Sequence, residues 1–239
     1  MLPISWPNGR RPATASGRSA HARCSTVSRC RSASPLRRKW RSIPGMSTPP
    51  APSLRPEQEI ALRYLREKGT EAPLASIRER AAKTFAQLEA QLAALPEESV
   101  RLRPAPGRWS VQEIVDHLVE SHRPAVDQLR DLLRGERPAG GPVPPSLLSA
   151  DPLGHAWPGL LQELAEVHRS ILALLDGATD ETPLTAKVPV AMVVKVREED
   201  GTLTPVEWTA DFDWKALVVL LRAHSLEHVA QIERTVHSG

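Results

Sequence analysis

Near the end of this 239-residue chain the run "RAHSLEHVAQIERTV" holds His224 and His228, four residues apart with Glu227 between them. On an α-helix that spacing puts both imidazoles on one face, where they could share a metal ion. The same letters, read as H-x-x-E-H, are the signature of one class of zinc proteases, so one stretch supports two different proteins. A metal site of either kind needs three or four N or O ligands, and a catalytic one keeps a position for water. His224 and His228 fall in line with Leu217, Leu221 and Ile232, an apolar stripe at helical spacing, so both rings point inward. A buried imidazole left unpaired costs about 1–3 kcal/mol. Each therefore needs a metal, or a carbonyl or carboxylate of the core.

Two residues compete to be the third ligand. His117 stands beside Leu118 on the inner stripe of an earlier helix, and His168 lies among Leu164 and Ile171, where a packed core histidine is the simpler reading. His122, His155 and His237 read as surface or loop residues. The protease would need a further ligand, usually a glutamate, well downstream on another helix. Only eleven residues follow His228, and the one carboxylate among them, Glu233, falls on a different face of the same helix. The protease reading is set aside on that ground. As general bases the sequence offers Glu227 beside His228 and Asp116 beside His117, although carboxylates flanking helical ligands commonly face water.

These side chains must be carried by long helices. Leu74, Ile77, Ala81, Phe85, Leu88, Leu92 and Leu95 form one stripe, preceded by a short helix over 57–67. Ser110 and Glu113 form a capping box that starts a second long helix, ending near Gly135 and carrying Val111, Ile114, Val115, Leu118, Val126, Leu129 and Leu133 inward. The Gly- and Pro-rich stretch 135–152 is too long for a tight turn and reads as a crossover loop. A third helix carries Trp157, Leu160, Leu164, His168, Ile171 and Leu175 and ends near Gly177. The period then shortens in "KVPVAMVVKV" and "TPVEWTADF", with Asp200-Gly201 between them, which predicts a β-hairpin. A cap at Asp211 or Asp213 opens the last helix, which runs to about His237. The expected fold is all-α, a four-helix bundle with a long crossover loop and a small hairpin before the last helix.

Composition sets the outer limits. The formal charge of +3 hides an asymmetry: residues 1–45 hold ten Lys or Arg, eight Ser and no Asp or Glu, which leaves 21 basic against 28 acidic residues, or −7, for 46–239. An acidic body argues against nucleic-acid binding by the folded part. The leader cannot bury enough surface to fold alone. It reads as a transit peptide, a basic nucleic-acid-binding tail, or sequence upstream of a start at Met46, with the last favoured. Both cysteines, Cys24 and Cys30, lie in it, so the body has no disulfide framework and no Cys-based zinc site or nucleophile. No run of about 18 apolar residues suggests a membrane span, and the default location is the cytoplasm. The division expected is a leader 1–45, an extension 46–73 and a bundle 74–239.

"LRPAPGRWSVQEIVDHLVES" followed a hundred residues on by "LLRAHSLEHVAQIERT" resembles the DinB-like superfamily, whose members are similar to DNA-damage-inducible DinB proteins. The likeness lies in the Trp-Ser helix start, a histidine seven residues after that Ser, and a terminal H-x-x-x-H followed by Gln-Ile, and it covers 74–239. It implies a four-helix bundle, often a homodimer, holding a divalent metal ion, zinc or nickel, on three histidines. Transferred to this chain these are His117, His224 and His228, with water completing the site. It further implies a metal-dependent hydrolase or a thiol-dependent transferase acting on a small-molecule substrate or with a low-molecular-weight thiol; a catalytically silent bundle that works by partner binding is the alternative. The basic leader and the 186–212 hairpin segment depart from that pattern.

Overall fold

A computed structural model describes residues 54–237; the leader 1–45 and both cysteines lie outside them. Five α-helices and one hairpin follow in order: α1 (Pro56–Leu65), α2 (Leu74–Ala93), α3 (Val111–Leu133), α4 (Trp157–Asp176), β1 (Val188–Arg197), β2 (Leu203–Phe212) and α5 (Trp214–His237). The short helix anticipated over 57–67 is α1, continued by a π-helical turn, Arg66–Thr70.

Helices α2 to α5 form the bundle. Each of α2 and α3 packs chiefly against α4 and α5, so these two sequential helices face each other across the diagonal. Helices α3 and α4 are neighbours, and both run from the cluster of Val111 and Leu160 to that of Leu132 and Leu175. The long 134–156 connection therefore returns along the length of the bundle, while the diagonal is crossed by the 94–110 connection between α2 and α3.

The helix ends show how local chemistry sets the boundaries. Ser110 caps α3 by accepting the Glu113 N–H at 3.3 Å, and the Glu113 carboxylate accepts the Ser110 N–H at 2.9 Å. Of the two aspartates proposed to cap α5, Asp213 does so, accepting the Ala216 N–H at 3.0 Å, while its other oxygen accepts from the Thr70 hydroxyl at 2.7 Å. Gly69 in the π-helical turn lies so close to α5 that a Cβ there would come within 2.8 Å of the Ala216 Cα. The two elements can approach this closely because neither residue carries bulk.

In the hairpin Val188 pairs with Phe212 and Arg197 with Leu203. Gly201, at φ +83°, takes the left-handed position of the turn. Five of the six residues Ala191–Val196 are buried, while β2 alternates exposed and half-buried positions. Burial on both faces of β1 explains why its sequence reads as a continuous apolar run.

The core falls into two apolar clusters, and the break between them occurs at the same height in every bundle helix. One holds Phe85, Ala125, Val167 and Leu221, the other Leu88, Val119, Leu164 and Val229. Between them lies a layer of buried histidines, His117, His122, His168, His224 and His228.

Candidate metal centre

Three of the five rings meet. The Nε2 of His224 lies 3.1 Å from the Nε2 of His117 and 2.8 Å from that of His228, and the ligand atoms of all three fall within 4.8 Å of one another. The rings meet edge to edge or edge to face, with centroids 4.5–5.0 Å apart. Two nitrogens held about 2.1 Å from one ion at tetrahedral or octahedral angles stand roughly 3.0–3.4 Å apart, close to the spacing seen here.

The far side of each ring fixes which nitrogen carries the proton. His117 Nδ1–H donates to the Leu147 carbonyl at 2.8 Å, and His228 Nδ1–H donates to Gln231 Oε1 at 2.9 Å. Their Nε2 atoms are then bare acceptors, both aimed at the Nε2 of His224. A proton on His224 could satisfy one of them and leave the other facing a lone pair; a cation at the meeting point satisfies all three. The donor set therefore fits a divalent metal of the kind that binds imidazole.

Burial favours the same protonation state. It pushes the His117 pKa down to about 4, against smaller upward pulls from the Leu147 carbonyl and the Asp116 charge. His224 and His228 are held well below the usual imidazole range, first by burial and then by neighbouring histidines. Neutral imidazole is the form that ligates.

Helix α3 also fastens the crossover loop over the cluster. Gln112 donates to the carbonyls of Pro152 and His155 at 3.1 and 3.0 Å, and Asp116 accepts the Ser149 N–H at 2.9 Å. The loop so fastened presents the Leu147 carbonyl to His117. One turn earlier, Arg103 grips Glu113 through two nitrogens, at 2.5 and 2.8 Å. Burial alone would raise the Glu113 carboxyl, but the bonds from Arg103 and Ser110 and the Arg103 charge outweigh it and hold it low.

Several sequence expectations need correcting. His122, read as a surface residue, is fully buried, with its Nε2 3.0 Å from the Nδ1 of His224. The signal was present: His122 is four residues from Leu118 and four from Val126, in the inner stripe of its own helix. Asp116 does not face water but is buried against the loop. His168 stays out of the cluster, stacked on Phe85 at 4.0 Å and bonded to Glu89. Glu227 is half-buried on the turn that carries His228. Gln231 and the Leu147 carbonyl had no sequence signal of their own.

Beside the cluster is a mostly apolar pocket of about 40 Å³, lined by Ala125, Val190, Leu217 and Leu221 and by the polar residues Ser121, His122, Gln128 and His224. Its outer wall comes from the hairpin at 189–191 and from Val143 and Pro144 of the crossover loop.

Fold and site together define a four-helix bundle with a buried three-histidine cluster suited to a divalent metal. The family model described as the DinB superfamily matches residues 80–232, and the chain belongs to that superfamily. Among solved structures it is similar to YfiT from Bacillus subtilis, described as a probable metal-dependent hydrolase with an unusual four-helix bundle topology, at 20% identity and a TM-score of 0.50, covering 80% of this chain and 92% of that one. No curated protein matches the chain.

Proposed function

We propose that the protein is a metal-dependent enzyme of hydrolase type that acts on a small molecule with a largely apolar body. The observation that carries this reading is the convergence of three neutral imidazole Nε2 atoms whose Nδ1 sides are turned to other partners. The description of YfiT supports it. Held by three uncharged ligands, a divalent ion keeps its full charge and supplies Lewis acidity, acidifying a water or polarising a carbonyl.

The chain's own residues do the rest. His117, His224 and His228 would hold the ion, and the loop fastened by Gln112 and Asp116 keeps water from the His117 side. Asp116, with an oxygen taken by the Ser149 N–H, serves as an anchor. Of the two carboxylates the sequence offers, Glu227, half-buried on the turn of His228, is then the one left to hold a proton during turnover. The apolar wall built by Val190, Leu217 and Leu221 would select uncharged substrate groups.

Metal analysis of the purified full-length protein tests this. One zinc or nickel per chain is expected, lost in His228→Ala, with cleavage of small ester or amide substrates that follows metal content. A protein that takes up no divalent ion under any loading condition overturns the reading. Cobalt-substituted protein whose spectrum changes on adding a low-molecular-weight thiol, without ester or amide cleavage, would replace the hydrolase by a thiol-dependent transferase.

A further inference from the structure

Two buried nitrogens in the histidine layer have no partner: Nδ1 of His122 and Nε2 of His168. Their rings belong to facing helices, α3 and α4, and lie 6.1 Å apart. Neither residue belongs to the three-histidine cluster, yet His122 bonds directly to a member of it. We infer that His122 is a positioning residue for His224, the inner end of a one-way line of hydrogen bonds that crosses the bundle to Glu89.

The inference rests on the metal reading and follows from proton bookkeeping along the line. For His224 to offer Nε2 to the cluster, its proton must sit on Nδ1, which faces Nε2 of His122 at 3.0 Å. His122 then accepts on Nε2, and its own proton is on Nδ1, one of the two orphans. At the other end, Nδ1 of His168 lies 2.6 Å from a carboxylate oxygen of Glu89. A carboxylate accepts, so His168 donates there and its Nε2, the second orphan, is a bare acceptor.

The two orphans are thus a donor and an acceptor. A single bridging water would satisfy both, as buried waters do where polar groups face a space too wide for a direct bond. Every donor in the line then points the same way: His224 to His122, His122 through the bridge to His168, His168 to Glu89. Phe85, stacked on His168 at an interplanar angle of 4°, fixes the plane of that ring. The negative end lies at the half-exposed Glu89 on α2. Metal-ligating histidines usually donate their second N–H to a carboxylate or carbonyl; here an imidazole takes that part, and the carboxylate stands three hydrogen bonds further away.

The test uses full-length protein labelled with ¹⁵N-histidine and loaded with zinc. The expected result is a neutral His122 with its proton on Nδ1 and its Nε2 accepting from His224; a proton on Nε2 of His122 overturns the inference. Zinc affinity by chelator competition is the second readout. His122→Phe, which keeps the ring and its packing but cannot accept, should weaken zinc binding by roughly 10–100-fold, and His122→Gln, which restores an acceptor, should recover most of the loss. Wild-type affinity in His122→Phe sinks the inference while leaving the metal site intact. A wild-type protein that binds no zinc sinks the metal reading, and with it the inference.

Discussion

Asp116 and Ser149 are joined by a 2.9 Å hydrogen bond from the serine N–H to the buried carboxylate, and that bond anchors the crossover loop two residues beyond the carbonyl that orients His117. A residue with no contact to the other two cluster histidines thereby governs the geometry of the cluster.

Asp116→Ala should release the loop and weaken zinc binding by roughly 10–100-fold, the range for loss of a group that orients a ligand. Hydrogen exchange at 145–156 should speed up in the same variant. Unchanged exchange there would show that Gln112 and Arg101 hold the loop without Asp116.

Removing the metal should lower thermal stability. Binding to the folded state alone contributes about 4 kcal/mol when free metal is a thousandfold above the dissociation constant. Calorimetry with and without a chelator measures this, and His224→Ala should show no difference between the two conditions.

Acid should destabilise the metal-free protein over a defined window. The folded pKa of His117 lies at about 4, below its unfolded value of 6.5, so the unfolded chain binds the proton first. Stability is therefore complete above pH 6.5 and falls as the pH drops towards 4, by on the order of 3 kcal/mol for His117 alone. His224 and His228 shift in the same direction and steepen the fall. Urea titrations between pH 4 and 8 follow the slope; a flat profile between 6.5 and 4 would contradict burial as its cause.

Gly69→Ala should cost about 1–3 kcal/mol, because the new methyl meets the Ala216 backbone at 2.8 Å and neither element has a flexible side chain to yield. Gly107→Ala meets no neighbour, although its φ of +75° disfavours any side chain. Urea midpoints for the pair separate packing from backbone strain.

Arg103→Ala should leave the Glu113 carboxylate buried without its bidentate partner and raise its pKa. Breaking one side of such a pair costs several kcal/mol when both partners are buried, and less here because Arg103 is half-exposed. The helix start bearing His117 should loosen, which amide exchange in 110–114 would register.

The elements and their inward faces were legible in the order of residues alone. Leucine and valine spacing, the Ser110–Glu113 capping box and the Asp200-Gly201 turn are local patterns, and they set the helices and hairpin because each acts within a few residues. That order also placed His224 and His228 on one face, since four residues make nearly one helical turn. What it could not decide was which histidines meet. His117, His122 and His168 all lie on inner stripes, and a stripe gives a direction without the height at which helices pass one another. The diagonal placement of α2 and α3, and the common level of the core break in all four helices, brought His117 to His224 and kept His168 on the Glu89 side. The anchoring of His117 was equally beyond local reading, because its partner is a backbone carbonyl of a loop with no periodicity, positioned by bonds to Gln112 and Asp116 that exist once the loop has folded back along α3.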